Sequence, residues 1–350
     1  MTAVDFDVIV VGLGPAGASA ALAATSKKYN VLAVDRKSEP GSPVQCAELV
    51  PALISQDIPN LNEHIVQSIR EMRTSIEGGP ITKTNPFPGH IVARSSLDKA
   101  LVESAINGGA ECHLSCPITK VSKTFIELAT KERIRASVII GADGPRSLVG
   151  RNMGQENKEL IYAQQITVPL LRDYPSTDIF LSSSTLGGYS WFFPKKNVAH
   201  IGVGVLPCDR GELKTLISKI HNHLFSAKKV ARKILNKTGG IIPAGGLLKS
   251  WQADKNHLAL LTGDAAGLTN PITGAGIHAA LVSGKLAGEA AKSWLDGDMS
   301  AGKGYNDDLH EMYGKSLARA LKKKKDLLRT KPPIERDFRN AWIAYPEYWS

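Results

Sequence analysis

Apolar positions first gather in residues 6–11, a short β-branched run that stops at Gly12-Leu13-Gly14-Pro15-Ala16-Gly17. Small residues continue from there to Ser26 and read as a helix, and Val31 to Val34 form a second apolar run closed by Asp35 and Arg36. Strand, helix and strand in that order predict the start of a parallel βαβ unit. Helical spacing is expected on to about Arg73, strands at residues 74–76 and 90–93, and an amphipathic helix over residues 96–107. Short alternating strands are expected through residues 111–140. Residues 160–206 are mostly strand-like, with Gly187-Gly188 as a turn, and residues 213–235 predict a helix, so this middle block predicts an antiparallel sheet with helices beside it. A last buried strand over 258–262, helices over 276–295 and 304–329, and a docked tail rich in proline and aromatics complete the pattern.

A chain of 350 residues suits two interlocked domains and an appendage. Its 43% hydrophobic and 22% charged residues exclude a disordered or fibrous chain. The start lacks the basic segment and cleavage site of a secretory signal. The stretch 8–24 is broken by glycines and a proline, short of the roughly 20 apolar residues that span a bilayer. A cytoplasmic protein is therefore expected. The net charge of +10 favours anionic partners, and Lys322 to Lys325 form a basic cluster on a predicted helix. An anionic membrane surface at its inner face, rather than nucleic acid, is the expected partner of that cluster. Cys46, Cys112, Cys116 and Cys208 lack the paired spacing of a zinc site, so no metal is expected.

Gly12, Gly14 and Gly17 give the G-x-G-x-x-G spacing that lets a backbone turn tightly and approach a pyrophosphate at a helix N-terminus, with Pro15 and Ala16 inside the same loop. Asp35 closes the second strand where a carboxylate accepts hydrogen bonds from a ribose, which argues against a 2′-phosphate. Two further segments follow, Gly141-Ala142-Asp143-Gly144 at a strand end and Gly263-Asp264, the latter leading through Asn270-Pro271 to Gly274-Ala275-Gly276-Ile277 and a helix. In this order they resemble the flavin-dependent hydroxylase and reductase superfamily. The resemblance implies FAD, with Gly263 and Asp264 at the ribityl chain and phosphate and the helix start at 274–277 facing the isoalloxazine. It also implies that Arg94 contacts FAD and that Val121 offers backbone contacts to adenine. The implied fold is α/β: a glutathione-reductase-like (Rossmann-type) FAD-binding domain over 1–73, 90–155 and 256–300, interleaved with an antiparallel-sheet substrate domain over 74–89 and 156–255. A helical segment over 301–350 follows.

The stretch Tyr189-Ser190-Trp191-Phe192-Phe193-Pro194-Lys195 with Gly202-Val203-Gly204 is similar to the Y-x-W-x-F-P-K…G-x-G signature of the geranylgeranyl reductase family. That resemblance implies reduction of carbon–carbon double bonds in an isoprenoid or other hydrophobic substrate. Tyr189, Trp191 and Phe193 would form an apolar wall with a polar handle. Pro43 to Glu48 partly matches the family's P-x-x-C-x-G box, which places Cys46 and Ala47 near the flavin and makes Cys46 the candidate proton donor. Glu48 stands where the box has glycine, adding a carboxylate and removing conformational freedom. No second glycine loop with strand and helix flanks occurs, so electrons would come from NAD(P)H or a ferredoxin, and both stay open. The alternative activity is a flavin monooxygenase acting on an aromatic or protein-borne substrate. A halogenase is disfavoured because no W-x-W-x-I-P segment occurs.

Overall fold

The computed structural model describes residues 5–52, 54, 58 and 61–350. Glu111–His113, Val31–Val34, Phe6–Val11, Arg133–Gly141 and Leu258–Leu261 lie side by side in parallel, with Trp251–Ala253 antiparallel at one edge. Their side chains are covered on both faces: Val8, Ile9, Val10, Val138 and Ile140 are all solvent-inaccessible, which is why these strands are continuous apolar runs rather than alternating ones. Helices Pro15–Ala24 and Ile277–Leu295 pack against each other, and their small residues permit a close approach. A Cβ at Gly284 would stand 2.1 Å from the carbonyl oxygen of Ala16, and Ser19 Oγ donates to Leu281 O at 2.8 Å.

A second sheet has seven strands in the order Asn236–Pro243, Leu160–Pro169, Val198–Val205, Ser190–Lys195, Ser176–Leu181, Glu71–Ile76 and Thr82–Thr84. Pairing is antiparallel except between Ser176–Leu181 and Glu71–Ile76. Alternation along Ser190–Lys195 divides its side chains between two cores. Phe192 packs with Leu216, Ile217 and Leu224 of helix Leu213–Ser226, whereas Trp191 and Phe193 face Phe338 and Trp342 of the tail. Ile118–Val121 and Phe125–Leu128 extend the first sheet from Arg133–Gly141, and Leu49–Pro51, Gly89–Val92 and Ile65–Ile69 form a small antiparallel sheet of their own. Among the described residues no helix is long and apolar enough to cross a membrane.

Several expected elements differ. The helical spacing expected to Arg73 gives instead the strands Ile65–Ile69 and Glu71–Ile76 beside a short turn Leu61–His64, because Gly89–Val92 and Ser176–Leu181 supply pairing partners that override local propensity. Where that expectation falls on residues 53, 55–57 and 59–60, it lies outside the described residues. Glu71–Ile76 also crosses the 73/74 division, and Trp251–Ala253, expected with the substrate segments, joins the parallel sheet. The helix expected over 213–235 ends at Ser226: Val230 bridges Leu170, and Leu235 N donates to Thr167 O, so the chain leaves the helix to pair with a strand end. The helix expected over 304–329 begins at Ala301 and passes through a π-turn at His310–Gly314 before Lys315–Arg329. The lysine cluster is only partly a solvated face, with Lys322 and Lys325 exposed. Lys323 donates to the carbonyl oxygens of Glu347 and Ser350, Lys324 is buried with its pKa lowered by burial to about 8, and Lys325 pairs with Glu159.

Candidate active site

A cavity of about 520 Å³ lies between the two larger sheets, lined on one side by Gly14, Pro15 and Ala16 and by Gly276 and Ile277. Close packing of their two helices brings these N-termini together, and neither has a side-chain cap, so backbone N–H groups and the positive ends of both helix dipoles converge on one space. The glycines of the first loop divide their labour. A Cβ at Gly12, whose φ is +98°, would stand 2.4 Å from Ala142 O, and one at Gly17 would stand 1.7 Å from Gly12 O, so these two let the loop pack. Gly14 meets nothing within 4 Å and borders the cavity.

Arg94 and Asp264 supply the charges on this side. Arg94 donates to both oxygens of the buried Asp98 at 2.8 and 2.9 Å. Burial opposes its charge, but the Asp98 carboxylate keeps the guanidinium above its ordinary pKa. Burial pushes the Asp264 carboxyl above the usual range, against a hydrogen bond from Thr269 Oγ1 at 2.7 Å and the Arg94 charge.

The opposite wall is aromatic: Tyr189, Trp191, Phe193 and Trp342, with Met72, Phe87 and Ile179 beside them. Tyr189 rests edge-on against Trp342 at a ring separation of 5.0 Å and donates to Thr273 O at 2.6 Å. Burial holds its phenol protonated. Trp191 fills the space left by Gly202, where a Cβ would come within 2.0 Å of the indole, so the second glycine motif is a packing device within the sheet. Trp191 Nε1 donates to Gln165 Oε1 at 3.1 Å, and Gln165 Nε2 donates to Cys46 O at 3.2 Å, which ties the aromatic wall to the cysteine segment.

Glu48 closes the cavity between these walls. Its side chain is 1% exposed and its backbone takes φ +65°, a left-handed value that favours glycine. Oε1 accepts from Arg94 N at 2.9 Å, and Oε2 accepts from Lys195 Nζ at 2.5 Å and pairs with His200 Nε2 at 2.8 Å. Burial opposes the Glu48 charge, yet the bonds from His200 and Lys195, with the Lys195 charge, hold the carboxyl below its ordinary range.

The cavity thus gathers Gly14, Pro15, Ala16, Cys46, Ala47, Arg94, Gly144, Asp264, Gly274, Ala275, Gly276 and Ile277 with Tyr189, Trp191 and Phe193. Gly12, Gly17, Asp35, Arg36, Val121, Asp143 and Gly263 stand outside its lining. Asp35 accepts from Leu13 N at 2.7 Å and Lys37 N at 2.8 Å, so its side chain stabilises the glycine loop. Asp143 accepts from Ser147 Oγ at 2.5 Å and Leu148 N at 2.6 Å, and Val121 O accepts from Asn152 Nδ2 at 3.1 Å. Sequence reasoning missed Gln165, His200 and Trp342. Only the polar residue within an apolar strand hints at the first two, and the aromatic density of the tail hints at the third.

No family model matches the chain. It is 33% identical over 345 residues to digeranylgeranylglycerophospholipid reductase 2 of Methanopyrus kandleri, covering 92% of this chain and 86% of that protein. It superposes on the crystal structure of a geranylgeranyl bacteriochlorophyll reductase-like protein from Thermoplasma acidophilum with a TM-score of 0.82 at 26% identity, covering 93% of this chain and 88% of that one. PqsL of Pseudomonas aeruginosa, described as a probable FAD-dependent monooxygenase, superposes with a TM-score of 0.70 over 93% of this chain and 98% of that one, and at 18% identity the likeness is one of fold.

Proposed function

The chain belongs to the geranylgeranyl reductase family of flavin-dependent oxidoreductases, and from that premise we propose that it hydrogenates carbon–carbon double bonds of an isoprenoid chain carried by a glycerophospholipid, with FAD as its cofactor. One observation carries the reading: a single cavity joins two uncapped helix N-termini to an aromatic wall. The open space at Gly14 beside the Pro15–Ala24 N-terminus, with the guanidinium of Arg94 nearby, fits a pyrophosphate and its negative charge. On this reading the parallel sheet and its flanking segments, expected as 1–73, 90–155 and 256–300, form the glutathione-reductase-like FAD unit. The seven-stranded sheet, expected within 74–89 and 156–255 and taking in Glu71–Ile76 whole, forms the substrate unit. FAD, when bound, supplies the hydride equivalent, restored from NAD(P)H or a ferredoxin.

The chain's own residues do the rest. Trp191, Phe193 and Trp342 exclude water and take up the apolar chain, while Tyr189, fixed by Thr273, holds the end of that wall in place. Cys46 Sγ holds the proton that the second alkene carbon needs, and Arg94 and Glu48 N fix its position. Reversible attachment to an anionic membrane surface would rest on the lipid nature of the substrate and on Lys322 and Lys325, since Lys323 and Lys324 are engaged within the fold.

The test is anaerobic. Chemically reduced holoprotein mixed with a polyprenyl glycerophospholipid should give a product two hydrogens heavier per bond, and Cys46→Ser should slow its formation while leaving the flavin spectrum intact. A product carrying oxygen from air, with no anaerobic reduction, would establish the monooxygenase instead.

A further inference from the structure

Glu48 is the residue at which this chain departs from the family box, and the structure shows what the departure brings. Glycine would occupy a backbone position at φ +65° without strain, whereas glutamate is strained there and buries a carboxylate as well. Every donor that compensates that carboxylate comes from a different element: Arg94 N from the first turn of helix Arg94–Asn107, Lys195 Nζ from the end of strand Ser190–Lys195, and His200 Nε2 from strand Val198–Val205. An ionised carboxylate offers only lone pairs, so the shared proton lies on His200 Nε2, and His200 Nδ1 faces Thr167 Oγ1 at 3.1 Å. The helix Arg94–Asn107 has no side-chain cap of its own, and Glu48 occupies one of its free N–H groups from a distance in sequence. Within its own turn, Glu48 N donates to Cys46 Sγ at 3.2 Å.

We propose that Glu48 is a positioning residue whose carboxylate fastens the Cys46–Arg94 side of the cavity to the strand pair bearing the aromatic wall. It thereby fixes where the Cys46 thiol stands and how far it is open to solvent and substrate. The Trp191–Gln165–Cys46 link joins the same two walls, so Glu48 is the charged half of a two-point clamp. Glycine at 48 keeps the turn and loses the clamp. Glutamine keeps the acceptor for Arg94 N and weakens the hold on Lys195 and His200.

This inference rests on the cavity being the substrate site, but its experiment needs no substrate. Holoprotein is treated with iodoacetamide, and alkylation is followed by mass at the Cys46 peptide, with the exposed Cys208 as internal reference. Glu48→Gly should raise the Cys46 rate several-fold over wild type, with Glu48→Gln intermediate and the Cys208 rate and flavin absorbance unchanged. Equal Cys46 rates in wild type and Glu48→Gly would overturn the clamp. Should Glu48→Gly fail to fold, Lys195→Met and His200→Gln carry the same readout: faster Cys46 alkylation in either supports the clamp, and wild-type rates in both overturn it. Faster alkylation in a protein that reduces no alkene would leave the clamp standing and remove the reductase reading alone.

Discussion

The two walls of the cavity are made of different material. Around Gly14, Pro15, Ala16 and Gly276 the wall is backbone, fixed by helices that approach through alanine and glycine, and a single added methyl group meets a carbonyl oxygen at 1.7–2.4 Å in several places. Around Trp191, Phe193 and Trp342 it is side chain, assembled from a sheet and a C-terminal helix and braced by Gln165 and Glu48. The first wall is rigid because nothing fits into it. The second is rigid only as long as its polar braces hold. Cofactor retention should therefore fail in an all-or-none way at the first wall, and substrate handling should fail by degrees at the second.

The largest effect should come from the glycine loop. Gly17→Ala places a Cβ on the carbonyl of Gly12 and should prevent folding, whereas a Cβ at Gly14 meets nothing within 4 Å, so Gly14→Val should fold. Circular dichroism of Gly14→Val should match wild type while the bound flavin absorbance is lost. Full flavin occupancy in that variant would remove the backbone wall as the cofactor site.

A smaller but still large effect is expected at Glu48. Glu48→Ala leaves Lys195 and His200 facing a buried gap and should cost about 3 kcal/mol in denaturant unfolding, in the range for breaking one side of a buried ion pair. The folded carboxyl lies below its ordinary value of 4.5. Its contribution is therefore fully present above that value and disappears as pH falls through the lower folded value, because there the unfolded chain binds the proton more readily. Unfolding measured across this acid range should show a steeper loss in wild type than in Glu48→Gln, and parallel curves would break the assignment.

The smallest effect should separate stability from ligand binding. The Asp264 carboxyl is raised above its ordinary 3.8 by burial, so its ionised form costs stability at neutral pH. Asp264→Asn should raise the thermal midpoint of flavin-free protein by about 2–4 °C, the shift that about 1 kcal/mol produces in domains of somewhat smaller size. The same variant should hold flavin less tightly in dialysis. A lower midpoint without flavin would show that Asp264 serves the fold rather than the ligand.

The contrast between walls also explains what could be read in the sequence. The Gly12–Gly17 loop is legible because backbone approach demands glycine at fixed spacing, whatever the rest of the chain does, and Asp264 and the 274–277 turn are legible through the superfamily resemblance. Tyr189, Trp191 and Phe193 are singled out through the likeness of residues 189–195 to the family signature, and they line one wall of the cavity. His200 and Gln165 look in sequence like isolated polar residues of a sheet, and their importance comes from partners far along the chain, Glu48 and Cys46. The strand Ile65–Ile69 was misread for the same reason: its partner Gly89–Val92 lies beyond a local window. Asp35 and Asp143 were placed correctly at strand ends, but the structure shows their oxygens already engaged by neighbouring N–H and hydroxyl groups.

The lining of the cavity runs from Gly14 to Ile343, nearly the length of the chain. During synthesis the glycine loop leaves the ribosome long before Trp342 and Ile343, which cover the aromatic wall. A growing chain thus presents a half-built crevice for most of its time under translation, with apolar strand faces exposed to whatever chaperones attend it. The crevice is complete only once both ends of its lining have emerged, so flavin capture is expected to follow the emergence of Trp342 rather than that of the glycine loop.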